Sequence, residues 1–137
     1  MAEDRLGFIG LGNVDPKLAN NLLNKKTKLN IFDKNKKKYL NFKNKEVILC
    51  KNLKEIARNS EVIITCLPSP SSIDLVLKSI LPYLNKKHLW IEMSTTDKNE
   101  MIRLNKIVSK KGVSVLEAPI TGGEHRAKSG NISILVS

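Results

Sequence analysis

The stretch LGFIGLGNVD, residues 6–15, decides the fold. Its first half, from Leu6 to Gly10, is a short apolar run typical of a buried strand. Gly10 and Gly12 then form a Gly-x-Gly pair where a dinucleotide-binding fold turns from its first strand into a helix. Gly10 permits the tight turn, and Gly12 lets backbone N–H groups approach a pyrophosphate at the helix N-terminus. The stretch therefore predicts a strand–turn–helix unit with room for a phosphate.

The third position of this glycine pattern is altered. Asp15 stands where Gly-x-Gly-x-x-Gly has its last glycine or an alanine. Followed by Pro16, Asp15 fits a helix N-cap, and its carboxylate would then occupy the helix N–H groups and repel phosphate. Alternatively, the helix begins near Asn13, and Asp15 points sideways from its first turn. The sequence leaves both arrangements open.

Outward from this stretch, short apolar runs alternate with amphipathic segments. Further strands are predicted at 29–33, 47–49, 61–67, 88–93 and 113–116, with a last one at 132–136. Helices are predicted around Leu18 to Leu23, after the capping pairs Asn52/Glu55 and Asp97/Glu100, and from Ile73 to Leu81. Continuously apolar strands that alternate with helices indicate a parallel sheet covered on both faces. The predicted fold class is α/β: a Rossmann-type, doubly wound, mostly parallel sheet with helices on both faces, forming one dinucleotide-binding domain over residues 1–137.

A second cofactor signal is Asp33, which ends the second predicted strand twenty-one residues after Gly12. An acidic side chain near this spacing accepts hydrogen bonds from the adenosine ribose hydroxyls, which favours NAD. It would repel the 2′-phosphate of NADP, whereas Lys34 and Lys36 would attract it. The predicted cofactor is therefore NAD or NADP, with NAD slightly favoured by Asp33.

Composition narrows the class of protein. Twenty-four Lys and Arg against thirteen Asp and Glu give a net charge of +11. Arginine is scarce and aromatic residues are few, so we expect nucleic acid to bind only nonspecifically. No apolar run approaches the roughly 18 residues of a membrane span. The start is short and acidic, and Cys50 and Cys66 lie in separate apolar runs, which favours a reduced, cytoplasmic protein.

Four segments match one known family in order and in approximate spacing. They are Gly7 to Asn13, Leu67-Pro68-Ser69, Ile91 to Thr96, and Glu117 to Gly123. Together they resemble the β-hydroxyacid dehydrogenase family, whose members include 3-hydroxyisobutyrate dehydrogenases. The related 6-phosphogluconate dehydrogenases share Gly-Gly-Glu at 122–124 but are a poorer match at the fifth strand.

The resemblance implies an oxidoreductase that passes hydride between a nicotinamide cofactor and a small β-hydroxyacid or its carbonyl partner. It places the cofactor across eight residues: Gly10, Gly12, Asn13, Val14, Asp33, Leu67, Pro68 and Thr95. It places the substrate carboxylate at Thr121, Gly122 and Gly123.

The sequence stops at Ser137, where the family continues into a helical domain that supplies the catalytic lysine and most of the dimer interface. With that domain absent, we nominate no catalytic residue and no metal ligand, and whether the chain is itself an enzyme stays open. We expect it to be inactive alone and to self-associate through the apolar surface that the missing domain would cover. The alternative is a degenerate Rossmann module that binds no cofactor and serves in binding or assembly.

Overall fold

A computed structural model describes residues 4–11, 27–42, 47–94, 97–121 and 133–134, with only the backbone at 120–121 and 133–134. Six strands form the main sheet: β1 Asp4–Ile9, β2 Thr27–Phe32, β3 Ile48–Leu49, β4 Val62–Thr65, β5 Leu89–Glu92 and β6 Ser114–Glu117. Their order is β3-β2-β1-β4-β5-β6, and every neighbouring pair is parallel. This is the order of a doubly wound sheet, so the predicted fold class is confirmed.

The described residues include three α-helices, which follow β3, β4 and β5: α1 Leu53–Asn59, α2 Pro70–Ile80 and α3 Lys98–Ser109. Each begins at a side-chain cap, in which the side chains of Asn52, Ser69 and Asp97 accept a backbone N–H from the first turn. The caps at Asn52 and Asp97 were predicted from the sequence. Such caps satisfy N–H groups that a helix leaves without an internal partner, which is why the helices begin at these residues.

Apolar residues cover both faces of the sheet. On one face, Ile9, Ile63 and Trp90 pack with the helices α1 to α3 in one buried cluster. On the other, Phe8 and Ile31 belong to a second cluster, which includes side chains of a 3-10 helix, Lys36–Phe42. The helix predicted around Leu18 to Leu23 lies outside the described residues. No helix in the described ranges is long and apolar enough to cross a membrane.

Three elements differ from the sequence prediction. The 3-10 helix Lys36–Phe42, and a shorter one at Leu81–Tyr83, were not predicted. The predicted last strand is present as β8, Ser133–Ile134, but it stands outside the main sheet. It pairs antiparallel with β7, Ile120–Thr121, in a separate two-stranded sheet. Apolar patterning indicated a strand there, but it could not indicate the partner of that strand.

Candidate functional site

The strand order creates a crevice at the carboxyl ends of β1 and β4, where the direction of winding reverses. Ligands of doubly wound sheets bind at this point. Four of the predicted site residues lie along this edge of the sheet: Gly10 after β1, Asp33 after β2, and Leu67 and Pro68 after β4. The others fall elsewhere: Gly12, Asn13, Val14, Thr95, Gly122 and Gly123 are outside the described residues, and Thr121 is described only as backbone of β7.

Gly10 occupies a position that only glycine fits. Its φ is +104°, a conformation that side-chain-bearing residues rarely adopt. A Cβ at this position would lie 2.1 Å from the carbonyl oxygen of Cys66. The Gly10 N–H also donates to the carbonyl of Phe32 at 3.1 Å. The turn out of β1 is therefore closely packed against both neighbouring strands.

The Asp33 carboxylate holds the start of the glycine turn. Its Oδ2 accepts the N–H of Leu11 at 2.7 Å, and its Oδ1 accepts the N–H of Asn35 at 2.8 Å. Asp33 is only partly buried, and within the described ranges no lysine or arginine forms a salt bridge with it. An ionised carboxylate has about four acceptor positions. Among the described residues only these two N–H groups donate to it, which leaves about two acceptor positions that fit the hydroxyls of a ribose.

Lys36 lies near Asp33 in sequence, but its ammonium group is turned elsewhere. Its Nζ lies 3.2 Å from the Tyr39 hydroxyl and 3.3 Å from the carbonyl oxygen of Lys51. It also sits 4.1 Å from the centroid of the Phe32 ring, a cation–π distance. The Tyr39 hydroxyl in turn donates to the carbonyl of Cys50 at 2.6 Å. This arrangement, which we call the Lys36 clamp, joins the end of β2 to the segment that follows β3.

A second polar cluster joins the ends of β4 and β5. Glu92 has no exposed surface, and its Oε2 accepts the Thr65 hydroxyl at 2.5 Å. Its Oε1 accepts the N–H of Ser94 at 2.6 Å. The Ser94 hydroxyl accepts the N–H of Leu67 at 2.7 Å, and the Trp90 ring N–H donates to Thr65 Oγ1 at 2.8 Å. We call these four side chains, Glu92, Thr65, Ser94 and Trp90, the Glu92 network.

Burial dominates the electrostatics of the Glu92 network. It raises the pKa of Glu92 above its usual value, and this effect outweighs the lowering by the hydrogen bonds from Ser94 and Thr65. Glu117, its register partner on β6, raises the pKa of Glu92 further. Glu92, Thr65 and Ser94 were not predicted as site residues from the sequence. The one feature that could have indicated them is an acidic residue, Glu92, within an otherwise apolar strand.

The two cysteines are both buried, and no disulfide joins them. Burial, with a smaller effect from Glu55, raises the pKa of Cys50 to about 11. A thiol with so high a pKa stays protonated at neutral pH and is a poor nucleophile. Within the described ranges, no group of three or more His, Cys, Asp and Glu side chains could hold a metal ion.

Comparison with known proteins gives a match over nearly the whole chain. Residues 5–137 match the family model described as the NAD binding domain of 6-phosphogluconate dehydrogenase. The mitochondrial 3-hydroxyisobutyrate dehydrogenase of Rattus norvegicus is 34% identical over 134 residues, which is 96% of this chain and 40% of the relative. The chain thus spans less than half the length of this curated relative.

Solved structures share the fold at lower identity. The 3-hydroxyisobutyrate dehydrogenase of Mycobacterium tuberculosis with L-serine aligns at a TM-score of 0.92 and 22% identity, covering 100% of this chain and 47% of that one. An imine reductase from Aspergillus terreus in complex with NADPH4 and dibenz[c,e]azepine aligns at a TM-score of 0.82 and 16% identity, covering 92% and 44%. At these identities the alignments show a common fold.

Proposed function

This chain belongs to the family of NAD binding domains typified by that of 6-phosphogluconate dehydrogenase, and from that premise we propose that it binds NAD in preference to NADP at the carboxyl edge of its sheet. It is an NAD(P)-binding Rossmann domain of the hydroxyacid dehydrogenase family. The observation that carries the preference for NAD is the Asp33 carboxylate. It is tied to the glycine turn through Leu11, and within the described ranges it accepts only one further N–H, from Asn35.

Asp33 has two roles in this proposal. By accepting the Leu11 N–H, it fixes where the glycine turn begins, and its remaining acceptor positions take the adenosine ribose hydroxyls. A 2′-phosphate in the same place would bring negative charge against this carboxylate. Gly12, Asn13 and Val14, which lie outside the described residues, would then line the pyrophosphate.

The lysines that could favour NADP are not equivalent. Lys36 is engaged with the carbonyl of Lys51 and with the Tyr39 hydroxyl, so moving to a phosphate would break the Lys36 clamp. Lys34 directly follows Asp33 and is exposed, so we assign to it the attraction of a 2′-phosphate. These contacts support NAD as the preferred cofactor, with Lys34 as the residue that opposes the preference.

For the other half of the cofactor, we propose that Leu67, Pro68 and Thr95 border the nicotinamide, which supplies or accepts the hydride when bound. A small β-hydroxyacid or its carbonyl partner would place its carboxylate at Thr121, Gly122 and Gly123. This assignment draws on the family and on the position of Leu67 and Pro68 directly after β4. We assign the proton transfer to no residue of this sequence, so the 137 residues assayed alone should bind dinucleotide with little or no turnover.

Other expectations stay predictions. A module without cofactor binding is not favoured by the family match, and an Asp15→Gly variant would test whether Asp15 weakens the phosphate turn. We also propose a cytoplasmic location, and self-association through apolar surface; on the described part of the chain, Leu40 and Leu75 are both 68% exposed.

The test is calorimetric titration of the chain with NADH and with NADPH, at low and at moderate salt. Wild type should bind NADH more tightly than NADPH. Asp33→Asn should lower the NADH affinity by roughly ten-fold, the size expected for lost hydrogen bonds to a charged group. It should also reduce the preference for NADH over NADPH.

A matched control separates the site from net charge. Asp74→Asn removes the same charge from the outer surface of α2, where Asp74 pairs with Lys78 and Arg103. It should leave the NADH affinity within about two-fold, because this charge is already paired with Lys78 and Arg103 and salt screens the remainder. The proposal fails if wild type binds neither dinucleotide, or if both variants have the same effect.

A further inference from the structure

We propose that Glu92 is a positioning residue for the nicotinamide half of the dinucleotide site, acting through Thr65 and Ser94 on the Leu67 segment. The inference rests on the proposed function, because it concerns how well that site is formed. Glu92 itself has no exposed surface, so its effect on a ligand must pass through the groups that it holds.

The Glu92 network connects β4, β5 and the segment after β5, and each of its hydrogen bonds has a defined donor. The Thr65 hydroxyl accepts the Trp90 N–H at 2.8 Å, and its own proton is then directed to Glu92 Oε2 at 2.5 Å. The Ser94 N–H is directed to Glu92 Oε1 at 2.6 Å. Thr65 and Glu92 are also register partners on β4 and β5. Both carboxylate oxygens are therefore used to hold the ends of these two strands together.

The connection continues to the residue that borders the proposed site. Ser94 is the second residue after β5, and its hydroxyl oxygen accepts the Leu67 N–H at 2.7 Å. Leu67 is the second residue after β4 and directly precedes Pro68. Displacing Ser94 would move the acceptor of this N–H, and with it the backbone that faces the crevice. The backbone at Leu67 is thus set by one buried carboxylate.

This arrangement does more than close the sheet. Backbone bonds already continue beyond the two strands, since the Met93 N–H donates to the Thr65 carbonyl at 2.8 Å. A buried carboxylate is costly, and here it neighbours Glu117 in the next strand. Apolar side chains in place of the whole network would often serve stability as well. A fully bonded buried network does, however, fix a single geometry, which a binding site requires.

Thr65 provides a matched pair of variants, because it is buried at the end of β4 and its hydroxyl is bonded to Glu92, so it acts on a ligand only through the network. Thr65→Val keeps the shape and removes the hydroxyl, whereas Thr65→Ser keeps the hydroxyl and removes a methyl group. Ser94→Ala removes the acceptor of the Leu67 N–H. A urea unfolding curve for each variant establishes that it is folded at the working temperature. If Ser94→Ala is unfolded, the two Thr65 variants still test the inference.

The probes are NADH and ADP-ribose, which shares the adenine half but lacks nicotinamide. Thr65→Val and Ser94→Ala should weaken NADH binding roughly ten-fold, about the value of one hydrogen bond to a charged group. The same variants should weaken the binding of ADP-ribose by less than about two-fold. Thr65→Ser should restore the NADH affinity. The fluorescence of bound NADH, which reports the nicotinamide environment, should change in Thr65→Val and return in Thr65→Ser.

The outcomes separate this inference from the function on which it rests. If wild type binds both probes and the variants change both equally or not at all, the Glu92 network serves only the fold, and the inference is overturned. If wild type binds neither probe, the proposed function and this inference fall together. A selective loss of the nicotinamide contribution, recovered by Thr65→Ser, is the result that we expect.

Discussion

Asp33 and Glu92 are both carboxylates at the carboxyl edge of one parallel sheet, and the fold treats them in opposite ways. Asp33 follows β2, is partly exposed, and accepts backbone N–H groups from Leu11 and Asn35. Glu92 ends β5, has no exposed surface, and accepts hydrogen bonds from Thr65 and Ser94. The first keeps acceptor positions toward solvent, whereas the second has both oxygens engaged inside the protein.

In the proposed site, one of the two carboxylates would serve the ligand and the other the scaffold. Substituting the exposed carboxylate should change ligand affinity and leave the stability nearly intact. Substituting the buried one should lower the stability directly, because its donors would lose their acceptor out of reach of water.

The largest loss of stability is expected for a substitution at Gly10, in the turn that follows β1. Gly10→Ala places a Cβ 2.1 Å from the Cys66 carbonyl oxygen at a φ of +104°, so β1 or β4 must shift. We expect the free energy of unfolding, measured in urea, to fall by more than about 3 kcal/mol. Gly112→Ala is the control: its φ is +76°, but its Cβ would meet the Lys86 side chain at 3.1 Å. A loss for Gly112→Ala as large as that for Gly10→Ala would contradict this account.

Glu92→Leu and Asp33→Asn compare the two carboxylates directly. The first leaves the Ser94 N–H and the Thr65 hydroxyl without their buried acceptor, and it should lower the free energy of unfolding by about 2–3 kcal/mol. The second keeps an amide oxygen for one of the two N–H groups at an accessible site, and it should lower this free energy by less than about 1 kcal/mol. Urea unfolding of both variants measures the difference, and equal losses would remove the distinction between the two sites.

The sign of the pH dependence of stability should reveal the raised pKa of Glu92. Its pKa is raised in the folded state, so the folded protein holds this proton more tightly than the unfolded chain does. Glu92 therefore makes its full contribution to stability below its unfolded pKa of 4.5, and this contribution is lost as the pH rises through its folded pKa. Wild type should therefore lose stability relative to Glu92→Gln as the pH increases above 4.5.

The measurement is the difference in the free energy of unfolding between these two chains at a series of pH values. Glu61 and Asp74, whose pKa values are lowered by Arg5 and by Lys78 with Arg103, make both chains less stable in acid. That effect is common to the two chains and cancels in the difference. A difference that is constant with pH would show that the ionisation of Glu92 is unchanged by folding.

The smallest effects concern the lysines around Asp33. Lys36→Met should lower the free energy of unfolding by less than about 1 kcal/mol, the usual value of an exposed cation–π contact, and leave the NADPH affinity unchanged. Lys34→Met should weaken NADPH binding by a few-fold without changing NADH binding, because only the 2′-phosphate would meet this charge. Calorimetry with both dinucleotides measures these changes. A larger loss of NADPH binding in Lys36→Met would reverse the roles assigned to the two lysines.

Local patterns predicted most of the fold. The capping residues Asn52 and Asp97 and the apolar runs of the main strands each depend on a few neighbouring residues, and all are present as predicted. The 3-10 helix Lys36–Phe42 was missed because its lysines resemble a solvated surface, whereas Phe42 is buried. The antiparallel pairing of β7 with β8 depends on contacts between distant segments, which apolar patterning does not contain.

The same limit applies to the candidate site. Gly10 and Asp33 were found because spacing from the first strand identifies them, and both lie at the expected edge of the sheet. The Glu92 network was missed because its members come from two strands and the segments that follow them. Only the register of Thr65 with Glu92 brings these side chains together.

The Lys36 clamp has a further consequence for how this protein meets other copies of itself. β3 is the outer strand on its side of the sheet, only two residues long, and its Leu49 is 44% exposed. An open apolar edge strand can template the growth of an aggregate by accepting a strand from another chain. Here the carbonyls of Cys50 and Lys51, directly after β3, already accept hydrogen bonds from Tyr39 and Lys36. We therefore expect Lys36→Met to aggregate more readily than wild type, because a charged side chain beside an edge strand opposes the addition of another strand.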